Sequence, residues 1–213
     1  MNMRPKKQQL LGLLPESLVM VRGPRAGNAR YLTFDDGPEP DHTPRLLDLL
    51  AAHHVHATFF LIGEKVERHP RLVERIVDEG HRLGNHSYSH YSFRPMSLEK
   101  KLYEINHTDE LLYPFDGLRH HPMRPPRGDM APSLLWYFAM HRRLLVHWSY
   151  DSLDYQEASE EALLARLRTM PPQPGDIVLM HDDSDKAANA LRIVLPEWLT
   201  AGHRFRVLPE VMP

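Results

Sequence analysis

The chain has 213 residues, of which 42% are hydrophobic and 25% charged, as in a folded globular protein rather than a disordered one. Its 26 basic and 28 acidic side chains give a net charge of −2, which argues against a strongly basic nucleic-acid-binding protein. The sequence contains no cysteine, and this excludes disulfide scaffolds, thiolate metal sites and cysteine nucleophiles.

Residues 1–29 lack a clear periodicity, so we predict an N-terminal extension there and one domain over residues 30–213. From residue 30 onward, short apolar runs alternate with helical patterns. The predicted strands are 31–34, 58–62, 82–85, 144–148, 177–180 and 205–207. The predicted helices are 43–52, 70–79, 97–112, 132–142, 159–169 and 185–201, of which two have serine N-caps at Ser97 and Ser159.

The alternation of strands and helices predicts an α/β fold with a parallel sheet covered by helices. The sheet could be open and doubly wound, or it could close into a barrel. The predicted domain is shorter than the roughly 250 residues of a full (β/α)8 barrel, so a smaller, incomplete barrel fits better. In both architectures the functional site lies at the carboxyl ends of the strands.

Polar side chains follow the predicted strands, where the parallel architecture would bring them to one rim. They are Asp35, Asp36, His86, His90, Arg124, Arg127, Asp151, Asp154, His181 and Asp182. With 15 histidines and no cysteine, any metal site in this chain must use histidine and carboxylate ligands.

The pair His86 and His90 has a spacing of four residues, and one helical turn would place both imidazoles on the same side. The H-E-x-x-H zinc motif has the same spacing and carries its catalytic base at the second position. Here that position is Ser87, so a base and a third ligand must come from elsewhere. The alternative is an ordinary pair of capping or surface histidines.

The adjacent carboxylates Asp35 and Asp36 follow an apolar strand and precede Gly37-Pro38. Two ionised carboxylates directly after a buried strand cost folding free energy unless they are paired, hydrogen-bonded or metal-bound. The alternative is that they lie in a solvated turn. One aspartate with two histidines gives the three protein ligands of a catalytic zinc site, which keeps one position open. This chemistry indicates a hydrolytic reaction.

Five short motifs stand in the same order as in a known family. They are Thr33–Pro38 (TFDDGP), His86–His90 (HSYSH), Arg124–Gly128 (RPPRG), Asp151–Tyr155 (DSLDY) and Ile177–Asp182 (IVLMHD). On these motifs the chain resembles the polysaccharide deacetylases of the NodB-homology family, also called carbohydrate esterase family 4. The resemblance covers about residues 30–208.

The resemblance implies a distorted, incomplete (β/α)7 barrel and a divalent metal, usually zinc. A site of one aspartate and two histidines could also accept cobalt or nickel. It implies hydrolysis of N-acetyl groups on amino sugars of a polysaccharide, an oligosaccharide or a glycan precursor. By motif position, Asp36, His86 and His90 would bind the metal. The substrate would be an N-acetylated carbohydrate.

The same resemblance assigns roles to four further side chains. Asp35 would be the general base that takes a proton from the attacking water, and His181 would be the general acid that protonates the leaving amine. Arg124 would pair with Asp35, and Asp154 would orient His181. A carboxylate on His181 would also favour the imidazolium form that an acid requires. We expect Asp35→Asn and His181→Ala to abolish turnover and to leave the fold intact.

Three positions are implied to bind substrate. The backbone N–H of Arg127 would stabilise the oxyanion, and Leu179 and Tyr155 would form walls around the acetyl methyl group. Two of these depart from the family: Arg127 stands where an aromatic residue is usual, and Tyr155 replaces the commoner tryptophan. The cationic side chain at position 127 predicts a preference for an anionic or phosphate-bearing substrate.

Other functions remain open at this stage. A NodB-like domain could hydrolyse another C–N amide or O-acetyl esters, or the chain could be a catalytically silent carbohydrate-binding domain. The remaining histidine groups, residues 53–56 and 120–121, are predicted to be surface loops. No apolar run approaches the roughly 18 residues of a membrane span, and no export signal is evident, so we expect a cytoplasmic protein without a nucleic-acid or membrane partner.

Overall fold

A computed structural model describes residues 7–156 and 159–210. Residues 1–6 of the predicted extension, and residues 157–158 and 211–213 of the predicted domain, lie outside the described part. The helices are α1 (Lys7–Leu11), α2 (Thr43–Ala52), α3 (Gly63–Arg68), α4 (Pro70–Asp78), α5 (Leu98–Asp116), α6 (Pro132–Met140), α7 (Glu160–Thr169) and α8 (Asp185–Thr200). The strands are β1 (Val19–Met20), β2 (Ala29–Asp35), β3 (Thr58–Leu61), β4 (Arg82–Asn85), β5 (Leu145–Val146), β6 (Tyr150–Asp151), β7 (Ile177–His181) and β8 (Arg204–Phe205).

The main sheet is parallel and has the order β4-β3-β2-β7-β6, with β8 beside the start of β2. A second parallel pair joins β1 to β5. Met123 bridges the two parts, because it pairs with Asn85 on one side and with Leu145 on the other. The sheet therefore curves into the distorted, incomplete (β/α)7 barrel that was predicted, and the fold class is confirmed.

The central strands are apolar because both of their faces are buried, as is usual for parallel sheets. On the outer face, Leu32, Phe34 and Val178 pack in a cluster that includes side chains of α2 and α8. On the inner face, Tyr31, Phe60 and Ile177 form a smaller cluster inside the barrel. These two layers hold β2 between β3 and β7 and thereby fix where β2 ends.

Local signals account for most of the helix ends. Ser97 caps α5 by accepting a hydrogen bond from the Lys100 amide, and Gly117, at φ 73°, ends the helix in the left-handed conformation. Helix α5 therefore runs four residues beyond its predicted end at Leu112, which is its last fully buried apolar residue. Helix α3 was not predicted, because its one apolar core residue, Val66, leaves little periodicity in the sequence.

The described part of the predicted extension packs on the barrel. Strand β1 pairs with β5, and Leu11 and Val19 lie in a buried cluster with Phe138 of α6. Gly23 lies against the ring of Tyr31, where an added Cβ would stand 2.3 Å from a ring carbon. The boundary at residue 30 stays a prediction. No helix within residues 7–156 and 159–210 has the length and apolar character needed to cross a membrane.

Candidate active site

The two aspartates at the end of β2 face the same site because the chain leaves the strand at once. Side chains alternate along a strand, so successive residues would otherwise point to opposite faces. Asp35 is the last residue of β2, and Asp36 adopts φ 77°, outside the strand conformation. Gly37 follows, and an added Cβ there would stand 2.3 Å from a carboxylate oxygen of Asp182. The turn thus requires glycine and brings both carboxylates to the rim.

His86 and His90 come together through a loop and not through a helical turn. Residues 86–90 contain no helix, and both Ser87 (φ 67°) and His90 (φ 58°) are in the left-handed region. The prediction that one helical turn aligns the pair is therefore wrong in its geometry. The two imidazole rings nevertheless lie 4.9 Å apart between centroids.

Asp36, His86 and His90 form one cluster of potential ligands, with their ligand atoms all within 4.8 Å of one another. Asp36 Oδ1 lies 3.4 Å from His86 Nε2 and 3.2 Å from His90 Nε2. His86 Nδ1 lies 2.7 Å from the Arg124 carbonyl oxygen and must donate to it, so in the neutral imidazole Nε2 is the acceptor that faces Asp36. Three electron-pair donors that converge in this way fit a divalent cation such as zinc.

The electrostatics of the cluster keep Asp36 ionised and treat the two imidazoles differently. Burial raises the pKa of Asp36, but the hydrogen bond and charge of His86, together with His90, outweigh it and hold that pKa well below its usual value. Burial and the neighbouring His86 lower the pKa of His90. Burial by itself would lower the pKa of His86, but the charge of Asp35 and the hydrogen bond and charge of Asp36 outweigh it and raise that pKa. A divalent cation that binds these side chains would therefore displace a proton from His86 Nε2.

Asp35 is held by a fully buried arginine. The Arg124 guanidinium donates to Asp35 Oδ1 at 2.6 Å and to the Thr33 hydroxyl at 2.8 Å, and it lies 4.1 Å from the centroid of the Phe60 ring. Burial lowers the pKa of Arg124, and the charge of Asp35 opposes that shift. The other Asp35 oxygen lies 3.7 Å from His86 Nε2, so it faces the cluster of ligands.

His181, at the end of β7, stands opposite Asp35 in the sheet register. Its Nδ1 is 2.9 Å from Asp154 Oδ1, and its backbone N–H donates to Asp154 Oδ2 at 2.7 Å. The Ser152 hydroxyl donates to the same carboxylate. Burial by itself lowers the pKa of His181, but the hydrogen bond and charge of Asp154 outweigh it and raise that pKa to about 9.

The three predicted substrate-binding residues lie around this centre. Arg127 is exposed, has φ 56°, and its charge contributes to lowering the pKa of His90. Among the residues that the structure describes, its backbone N–H has no backbone acceptor outside the 3-10 turn Pro126–Gly128 that contains it. Tyr155 is 55% exposed, and its ring centroid is 5.3 Å from that of His181. Leu179 is buried in β7, two residues before His181.

Three further side chains support the centre, and none of them was assigned a role from the sequence. Asp182 is buried, accepts a hydrogen bond from Thr43 at 2.6 Å, and burial raises its pKa to about 7. Lys65 Nζ donates to the Asp36 carbonyl. Asn85 receives the Ser87 amide on its side-chain oxygen and donates to Asp109, so it anchors the histidine loop to α5. Only Asp182 carried a signal, its place directly after His181.

The prediction of a surface loop at residues 120–121 is right for His120 and wrong for His121. His120 is exposed, but His121 is buried between Asp109 and Asp116, and its ring nitrogens lie 3.1 Å from each carboxylate. Residues 53–56 follow α2 as a short loop, with His54 and His56 exposed. Of the three histidine groups noted in the sequence, only the pair His86 and His90 therefore lies at the carboxyl ends of the strands in the described part of the chain.

Comparison with known proteins decides the family. The polysaccharide deacetylase family model matches residues 22–141. The chain belongs to the polysaccharide deacetylase family. It is 35% identical over 184 residues to a peptidoglycan-N-acetylglucosamine deacetylase of Bacillus cereus, covering 84% of this chain and 66% of that protein. It is also 35% identical over 210 residues to a chitooligosaccharide deacetylase of Sinorhizobium fredii, covering 88% of this chain and 94% of that protein.

The three-dimensional comparison agrees. A crystal structure of a peptidoglycan N-acetylglucosamine deacetylase in complex with a naphthalenyl-substituted N-hydroxybenzamide superposes with a TM-score of 0.84 at 34% identity. The superposition covers 90% of this chain and 91% of that one. The chain is accordingly a hydrolase of the polysaccharide deacetylase type, a class that acts on the C–N amide bonds of carbohydrates.

Proposed function

We propose that this polysaccharide deacetylase is a metal-dependent hydrolase that removes N-acetyl groups from N-acetylglucosamine in an oligosaccharide or polysaccharide and releases acetate. The observation that carries the proposal is the convergence of Asp36, His86 and His90 within 4.8 Å, beside the Asp35–Arg124 and Asp154–His181 pairs. The names of the relatives support N-acetylglucosamine as the sugar, because they describe deacetylases of peptidoglycan N-acetylglucosamine and of chitooligosaccharides.

In the proposed mechanism, Asp36, His86 and His90 hold the cation. A divalent cation bound there would lower the pKa of a water molecule and polarise the acetyl carbonyl. Asp35 accepts the proton of the attacking water, and the buried Arg124 keeps this carboxylate oriented at 2.6 Å. Because Arg124 also hydrogen-bonds Thr33 of β2, the base is fixed to the sheet rather than to a loop.

The other half of the site serves the leaving group. His181 donates its proton to the amine nitrogen as the C–N bond breaks, and Asp154 keeps that imidazole protonated at neutral pH. The backbone N–H of Arg127 stabilises the oxyanion; it has no backbone acceptor among the described residues outside its own 3-10 turn. Leu179 and Tyr155 enclose the acetyl methyl group. A silent carbohydrate-binding domain would need none of these paired acid and base groups.

Removal of metal is expected to abolish acetate release. The enzyme would be stripped with a chelator, dialysed and reloaded with zinc, cobalt or nickel, while metal content is measured by elemental analysis. We expect about one ion per chain, loss of that ion in His86→Ala, and activity restored only by reloading. Substrates would be N-acetylchitooligosaccharides, peptidoglycan, acetylated xylan and small amides. Full activity in the stripped enzyme would overturn metal dependence, and turnover of the ester alone would overturn the proposed amide substrate.

Asp154→Asn is expected to move the alkaline limb of the pH profile. His181 must carry a proton to act as the acid, and Asp154 is the main group that raises its pKa to about 9. Loss of that charge lowers the pKa of His181, so kcat/KM should begin to fall at a pH about one to two units lower. The matched control is Asp78→Asn, an exposed position in α4. An unshifted alkaline limb in Asp154→Asn would contradict the role of His181.

A further inference from the structure

An open cavity of about 480 Å³ adjoins the proposed metal site on the side of His90. It is bounded by the segment that follows His90, by the first turn of α5 and by the turn that carries Arg127. The lining residues are Tyr91, Ser92, Pro95, Met96, Ser97, Lys100 and Arg127. Because Tyr91 directly follows a proposed ligand, a sugar bound at the metal would have its neighbour within reach of this cavity.

The charge of this cavity is positive. Arg127 and Lys100 are both exposed, and neither has a carboxylate within ion-pairing distance in the part of the chain that the structure describes. The cavity also meets the amino end of the 19-residue helix α5, where Ser97 is the N-cap and backbone N–H groups carry partial positive charge. Glu99 of that turn is not among the lining residues.

Two of the three walls of the cavity are tied together through Asp129. Asp129 is buried and accepts hydrogen bonds from the Ser92 hydroxyl at 3.0 Å and from Arg94 Nε at 2.9 Å. This link fastens the segment after His90 to the turn at Pro126–Gly128. It also neutralises Arg94, which leaves Arg127 and Lys100 as the uncompensated cations.

Two cations without ion-pair partners among the described residues lie beside an exposed aromatic ring in this cavity. An uncharged glycan could stack on the ring but would have no anionic group to pair with the cations. Tyr91 is 71% exposed and offers a flat apolar face on which a sugar ring can stack. The guanidinium of Arg127 provides several fixed donors that match a carboxylate or a phosphate, and Lys100 adds a mobile point charge. A sugar ring that carries an anionic group satisfies both features at once.

We propose that this cavity is a subsite for an anionic group, a carboxylate or a phosphate, on the sugar next to the N-acetylated residue that is hydrolysed. The inference rests on the proposed deacetylase function and deepens it, because it names the class of substrate. It also extends the prediction from Arg127 alone to a site built from three segments of the chain.

The test compares three tetrasaccharides that differ in charge. They are N-acetylchitotetraose, the same tetramer carrying a sugar phosphate, and an alternating tetramer of N-acetylglucosamine and N-acetylmuramic acid with free carboxylates. We expect a KM for at least one acidic tetramer about three- to tenfold below that of the neutral one, an advantage lost in Arg127→Gln/Lys100→Gln. Arg127→Lys should keep part of it, and high salt should remove it.

The matched control is Arg192→Gln, an exposed charge on α8, which should leave all three KM values unchanged. The proposal is overturned if the wild-type enzyme has equal KM values for the neutral and acidic tetramers, or if the double variant keeps the difference. Preference for one acidic tetramer identifies the anionic group as carboxylate or phosphate. If no tetramer releases acetate, the proposed function fails, and calorimetric binding of the acidic tetramers to wild type and double variant still decides the subsite.

Discussion

Asp35→Asn is expected to lower kcat for N-acetyl hydrolysis by about 10²- to 10⁴-fold, the contribution of a positioned general base. The substitution keeps the shape of the side chain and its hydrogen bond from Arg124, but the amide cannot accept the proton of water. Metal content should stay near the wild-type value, because Asp35 is not among the three clustered ligands. The measurement is acetate release under saturating substrate, together with elemental analysis of the same sample.

The same substitution is also expected to lower the free energy of unfolding. Arg124 is fully buried, and Asp35 is its only ion-pair partner among the described residues. Removal of one member of a buried pair leaves an uncompensated charge and costs about 3–5 kcal/mol. A thermal unfolding curve should therefore shift to lower temperature in Asp35→Asn.

A second buried carboxylate separates the two effects. Asp176 lies 2.8 Å from Arg22 and is also buried, but it stands just before β7, at the opposite end of that strand from His181. Asp176→Asn should lose stability and keep kcat near the wild-type value. If Asp35→Asn keeps full activity, or if Asp176→Asn loses as much activity, Asp35 is not the base.

Much of the fold could be predicted because its local signals are strong. The helices at Thr43–Ala52 and Glu160–Thr169 begin where the sequence places them, because Pro44 lies in the first turn of the one and Ser159 caps the other. The two-residue strands β1 and β6 could not be found in this way, because so short a segment carries no period. Their pairing depends on where the rest of the barrel brings them, which is a tertiary effect and not a local preference.

The candidate site was predictable in its members and less so in its geometry. The position of the polar residues directly after the strands predicted which side chains form the cluster, since parallel strands present their carboxyl ends at one rim. The loop conformations of Asp36, Ser87 and His90, all at positive φ, were not predictable, because nothing in these residue types requires them. Neither was Asn85, whose support of the loop depends on Asp109, a residue of α5 remote in sequence.

The two halves of the site rest on different kinds of support, and this leads to different mutational outcomes. Asp35 is balanced by a buried cation, whereas Asp154 keeps three hydrogen bonds, from the His181 backbone, the His181 ring and the Ser152 hydroxyl. Loss of the His181 ring removes only one of the three. We therefore expect His181 variants to remain folded, as first predicted, and the acid role to be testable without a large loss of stability.

His181→Ala is expected to lower kcat by about 10²- to 10⁴-fold on an N-acetylated sugar and by less than about tenfold on p-nitrophenyl acetate. The amine must be protonated as the C–N bond breaks, whereas nitrophenolate departs as an anion and needs no acid. His181→Asn, whose amide can still donate to Asp154, should show the same selectivity and exclude a packing effect. His120→Ala, at an exposed histidine, is the matched control. Equal losses on both substrates would contradict leaving-group protonation by His181, because a defect in metal binding or folding does not distinguish an amine from a phenolate.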